Sequence, residues 1–162
     1  MKTFFVILFA LLQIQLNAQE PTNFTALKQA IINVNPEVDF ANKLVFISVW
    51  KSSDFESREL NKEAFRVYKI YKDAKLKNGE KGTVFISLNL DQDSQITEIT
   101  TRKDSLDKEI IYTNATLLDE LKSLYHLQTA NNTILIDKTG DVKYTNLSKD
   151  QIFVSLRSLI TR

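Results

Sequence analysis

The residues with chemistry to offer are few, and most sit in one stretch, VWKSSDFESREL, from Val49 to Leu60. Ser57 could act as a nucleophile only with a base beside it. The single imidazole of the chain, His126, stands at the end of a predicted helix, near the strand that carries Thr133. Nothing in the spacing orients it toward Ser57, and a lone histidine there is most simply a surface residue. Asp54 and Glu56 fall where a helix should begin. The free amides of a helix start carry partial positive charge and favour carboxylates by about 0.3–1 kcal/mol each. The plainest role for Asp54, Glu56 and Ser57 is therefore that of first-turn residues. A second acidic cluster, DQDSQ at 91–95, begins like a calcium loop. It lacks the glycine and the closing glutamate such a loop needs, and reads as a solvated strand exit. The mixed charges of 103–108 read as a solvated face. Phosphate-cradling glycine loops, zinc-ligand spacings and basic-aromatic stripes are absent from the sequence.

Bulk composition narrows the classes further. The 162 residues are 43% hydrophobic and 25% charged, which suits one globular domain with one core. Against 21 basic residues stand 20 acidic ones, so no global charge draws the chain to nucleic acid or anionic lipid. The chain has no cysteine. That excludes structural disulfides, thiol catalysis and thiolate metal sites.

The first residues have a separate reading. Lys2 gives a positive start, residues 4–12 form a continuous apolar run, and 13–19 turn polar. This is the pattern of a secretory signal peptide over 1–18, cut after Ala18. The run is too short to span a membrane, which takes roughly 20 residues. No cysteine follows it for lipid attachment. The other reading, a buried N-terminal helix, fits poorly with apolarity on all sides. Triplets of the N-glycosylation type begin at Asn23, Asn114, Asn131 and Asn146; in a bacterial protein, which the leader suggests, they carry no meaning.

The elements that would position the stretch 49–60 follow from periodicity. Phe24, Leu27 and Ile31 keep helical spacing in an N-terminal extension over 19–42, which Asn35-Pro36 ends. KLVFISVW at 43–50 is a strand buried on both faces. Ser53 and Glu56 form a capping box for a helix over 54–76. TVFISLNL at 83–90 is a second central strand, followed by a polar helix or loop to Lys103. A short strand over 109–112, an amphipathic helix over 116–125 and a strand over 133–137 come next. A hairpin turn with Gly140 at positive φ leads to a return strand from Val142, and a helix over 149–160 closes the chain. Two strands joined by a long helix pair in parallel through a right-handed crossover. The result is an α/β layered domain with a mixed sheet, a C-terminal hairpin and a closing helix.

Three segments resemble the thioredoxin-like fold, and within it the secreted TlpA-like thiol-disulfide oxidoreductases. In VWKSSDFESREL the strand ends at Trp50, and the family's Trp-Cys-x-x-Cys pair falls on Ser53, Asp54 and Ser57, with Arg58 at a position often basic. VFISLNLDQD, 84–93, is similar to the family's second strand and its acidic exit. YHLQTANNTILIDKTGDV, 125–142, is similar to its run of a Tyr, a loop, a cis-Pro-Thr, an apolar strand, Ile-Asp and a glycine turn. The resemblance covers 43–162 and implies a three-layer α/β/α sandwich. The cis-proline falls on Asn132, before Thr133. A non-proline cis bond costs about 2.5–4 kcal/mol, so a trans bond and a reshaped loop are expected there.

Both sulfurs and the proline are thus replaced together. The expectation is an exported, redox-inactive module, needing no cofactor, that binds a protein or peptide of the cell envelope. Its candidate surface is Trp50, Asp54, Phe55, Ser57, Asn132 and Thr133. Two other readings stand beside it: an enzyme with non-thiol chemistry through Asp54, Ser57 and His126, and a purely structural subunit.

Overall fold

The computed structural model describes residues 22–113, 119, 121, 123 and 133–161. In chain order the elements are α1 (Thr22–Val34), β1 (Leu44–Trp50), α2 (Phe55–Tyr71), β2 (Thr83–Asn89) and α3 (Ser94–Lys103). A 3-10 turn (Lys108–Ile110), β3 (Ile111–Tyr112), β4 (Thr133–Ile136), β5 (Val142–Thr145) and α4 (Lys149–Leu159) follow. The strands form one sheet in the order β3-β2-β1-β4-β5. β2 runs parallel to β1 and β3, whereas β4 runs antiparallel to β1 and β5. This is the mixed α/β sheet with a terminal hairpin that the periodicity predicts.

Alternation of side chains along the strands gives the sheet two buried faces. Val45, Ile47 and Val49 of β1 join Ile86, Leu88, Ile134 and Ile136 on one face, under Phe24, Leu27 and Ile31 of α1. Leu44, Phe46 and Trp50 join Phe85 and Leu135 on the other, under α2 and α4. All seven residues of β1 are buried, as a central strand requires.

Two boundaries differ from the sequence reading. The N-cap of α2 is Asp54, not Ser53. The Asp54 carboxylate accepts from the amides of Glu56 (3.0 Å) and Ser57 (3.3 Å), and Ser53 is left exposed in the turn before it. A carboxylate that reaches two free amides makes charge-assisted bonds and displaces the weaker hydroxyl. The helix also stops at Tyr71 instead of continuing to 76. Residues beyond it fold back as a strap: Lys72 O accepts from Thr83 N (2.8 Å), Ala74 O accepts from Gly82 N (2.9 Å), and Leu76 bridges to Ile160. Leaving the helix lets Leu76 bury in the core. Gly82 makes the return possible, with φ +101° and no room for a Cβ against Lys72 O. Gly140 likewise takes φ +93° in the predicted hairpin.

Three smaller differences complete the comparison. β2 ends at Asn89, the polar segment before Lys103 is helix α3, and the predicted strand over 109–112 keeps only Ile111 and Tyr112. Of the predicted helix over 116–125, Asp119, Leu121 and Ser123 are described; each is helical, and Leu121 is buried. The leader 1–18, His126 and Asn132 lie outside the described residues.

Candidate functional site

The start of α2 lies at the carboxyl end of β1, where the strand runs out at Trp50. Phe55, the first helical residue, is 71% exposed, and Asp54 before it is half-buried with its carboxylate held by the first-turn amides. Ser57 is fully buried. Its Oγ accepts from Lys51 N (3.2 Å) and lies 3.2 Å from Asp54 O, to which it donates. The hydroxyl thus closes the turn that joins strand to helix. It is engaged with backbone and offers no nucleophile to solvent.

The polar residues beneath this turn are arranged in a row. Ser48 pairs in register with Ser87 on one side and Thr133 on the other. All three are buried on the face that carries α2 and α4. Trp50 Nε1 donates to Ser87 Oγ (2.7 Å), and Ser87 Oγ donates to Asn61 Oδ1 (3.0 Å). Thr133 Oγ1 accepts from Leu147 N (2.7 Å) and so fixes the loop between β5 and α4. Ser48 Oγ and Asn61 Nδ2 are buried with no hydrogen-bond partner among the described residues. Unsatisfied groups of this kind cost about 1–3 kcal/mol each.

Further polar contacts fix the turn from the side of β2. Asp91 Oδ2 accepts from Ser52 N and from Asn89 Nδ2, both at 3.0 Å. Asn89 Oδ1 accepts from Thr97 Oγ1 of α3 (2.9 Å). Arg58 clamps α2 to the end of α3 through a two-pronged pair with Asp104, at 2.6 and 3.0 Å. Such a planar fork on a carboxylate is specific in geometry as well as strong. The acids of 91–95 therefore serve the strand exit: Asp91 holds Ser52, and Asp93 caps α3. No cluster of metal-ligating side chains occurs among the described residues.

Of the six candidate residues, the structure exposes Phe55 and partly exposes Asp54. It encloses Trp50, Ser57 and Thr133 completely. The correction is one of role: these three lie too deep to touch a partner and instead support the surface above. Trp50 is buried because it ends a central strand with its ring facing inward, a direction fixed by alternation from Leu44, Phe46 and Ser48. Sequence reading missed the residues that form the opposite wall. Phe55, Leu60, Leu147, Ser148 and Lys149 line an open groove of about 560 Å³ between α2 and the loop before α4. Glu59 lies on this groove, and its bond from Lys62, with Lys149 beyond, holds its carboxyl below the ordinary range.

No family model matches the chain, and no curated protein matches it in sequence. Solved structures do. The thioredoxin domain of a thiol-disulfide oxidoreductase from Bacteroides vulgatus superposes with TM-score 0.60 at 18% identity, over 76% of this chain and 83% of that one. A thiol:disulfide interchange protein from Bacteroides sp. gives 0.63 at 16% identity, over 75% and 76%. A secreted disulfide oxidoreductase from Mycobacterium tuberculosis gives 0.55 at 10% identity, over 73% and 83%. At these identities the likeness establishes the fold. The chain has a thioredoxin-like α/β fold, the one used by these thiol-disulfide oxidoreductases, and it carries no cysteine.

Proposed function

We propose that this protein is an exported, redox-silent relative of the TlpA-like oxidoreductases, and that it binds a protein or peptide of the cell envelope. The binding surface in this reading is the start of α2, Ser53 to Glu56, together with the groove against Leu147–Lys149. The observation that carries it is the pairing of an exposed Phe55 with a heavily bonded support beneath. A bare phenylalanine on a rigid helix start is the sort of anchor that interfaces use. The positions that the resemblance gives to sulfur hold Asp54 and Ser57, whose groups are engaged with the helix-start amides and the turn backbone. Export is supported by the apolar leader and by a structural neighbour described as secreted. Among the described residues no helix is long and apolar enough to cross a membrane.

Paired capture tests the reading. One bait is the native protein and the other carries Asp54→Lys and Phe55→Ala, both presented to native envelope extract. A discrete partner held by the first bait and lost by the second is the expected result. A partner held equally by both would move the interface elsewhere on the molecule. A disulfide-reduction assay run alongside should give no activity above buffer.

A further inference from the structure

A second cleft lies far from the start of α2, between its carboxyl end and α4. It encloses about 780 Å³, within the range of small-molecule sites. Its walls are apolar: Tyr71 and Phe153 face each other with ring centroids 5.7 Å apart, Val154 is 64% exposed, and Ile160 lines the cleft with them. The charged residues that line it are Lys77 and Arg157, both cationic, and neither forms an ion pair among the described residues. No acid lines it.

The backbone around the cleft is already engaged. Leu159 O accepts from Lys77 N (2.7 Å), Arg157 O from Ile160 N (3.3 Å), and Lys75 O from Thr161 N (2.9 Å). Much of its wall is α4, whose interior amides and carbonyls bond within the helix, and the strap at Leu76 is already bridged to Ile160. An extended peptide would find no row of free main-chain groups to pair with. A ligand that needs only an apolar slot and a cation suits the cleft better.

From this complementarity we propose that the cleft binds a free, monomeric amphiphile with an aliphatic chain and one carboxylate. The chain lies along Tyr71, Phe153 and Val154, and the carboxylate meets Arg157 and Lys77. Burial of methylenes supplies the affinity, and the two cations select the charge. The site is independent of the surface at Phe55, so the two readings fail separately.

Decanoate titrated into the purified protein, followed by calorimetry and by amide shifts, tests the proposal. Saturable binding is expected, with the shifts centred on Tyr71, Val154 and Ile160. Shortening the acid to octanoate should weaken it about fivefold, for an open cleft that buries each methylene only in part. Arg157→Glu, at an exposed position, should weaken it by about fivefold with the fold intact by circular dichroism. Val154→Asp should act in the same direction, and decyltrimethylammonium should not bind. Failure of decanoate to saturate, equal binding of the cationic amphiphile, or indifference to Arg157→Glu would overturn the proposal. Binding to anionic vesicles without saturable decanoate binding would also overturn it, in favour of a membrane surface.

Discussion

The sheet face under α1 and the face under α2 and α4 come from alternate residues of the same strands, yet they are built differently. Under α1, the described strands β1, β2 and β4 present only Val, Ile and Leu. Under α2 and α4 the apolar residues are interrupted by Ser48, Ser87 and Thr133 in one row, with Trp50 and Asn61 bonded to Ser87. A core of aliphatic residues needs only volume and pattern, and tolerates exchange. A buried polar row needs each partner in place, and costs stability when one is missing. The row lies directly below the turn that opens α2. The difference between the faces therefore marks which half of the core depends on specific partners.

Truncation tests the contrast at its largest. Trp50→Ala should cost about 4 kcal/mol in chemical unfolding followed by far-ultraviolet dichroism, and Ile47→Ala on the aliphatic face about 3 kcal/mol. Near-equal costs would say only that both faces are packed. The finer variants separate them.

Arg58→Ala and Asp104→Ala should each cost roughly 3 kcal/mol, because Asp104 is almost enclosed and either change strands its partner. The double variant should cost little more than either single one. Full additivity would show that the clamp does not act as a unit.

Trp50→Phe removes a hydrogen bond while keeping most of the volume. It should cost about 1–2 kcal/mol, and adding Ser87→Ala should cost less than the sum of the two singles. The conservative change Ile47→Val on the other face should cost about 1 kcal/mol and show no coupling to Ser87→Ala. Coupling on both faces would erase the distinction.

At the hairpin end of the sheet the expected effect is smaller and depends on pH. Burial alone would raise the Asp137 carboxyl, but bonds from Lys143, Thr139 and the backbone of Asp141 outweigh it and hold it below its ordinary value. A carboxyl lowered in the folded state adds stability above the unfolded pKa of about 3.9, and loses it as pH falls through the folded value. The native protein should therefore lose stability in that acid window, and Asp137→Asn should show a flatter acid limb. Equal slopes would remove Asp137 from the account.

Much of this was legible in the sequence. The near-continuous apolar runs KLVFISVW and TVFISLNL set two central strands, and Gly140 marked the hairpin. The apolar spacing of Phe24, Leu27 and Ile31 marked a helix that the structure packs on the sheet. The shared tripeptide Phe-Ile-Ser was also visible, and register places Ser48 beside Ser87. That repeat, with Asn61 on an otherwise apolar helix stripe, was the available signal for the polar row. What pattern could not supply was depth. Trp50 and Ser57 enter the candidate surface through their position at a junction, and only the packed sheet shows how deeply both are enclosed. The cap moved from Ser53 to Asp54 because either side chain satisfies the same local rule, and three-dimensional reach decides between them. The groove wall at Leu147–Lys149 comes from far along the chain, so no local pattern could join it to Phe55.

The surface above the polar row remains the central claim, and photo-crosslinking tests it most directly. A benzophenone side chain replaces Phe55 in one form of the protein and the equally exposed Ile99 of α3 in another. Replacing Phe55 should change stability by no more than about 0.5 kcal/mol, since the ring is solvated. Irradiation in native envelope extract should give a discrete crosslinked species from position 55 and none from position 99. No adduct at 55, with a discrete adduct at 99, would contradict the account and place the partner on α3.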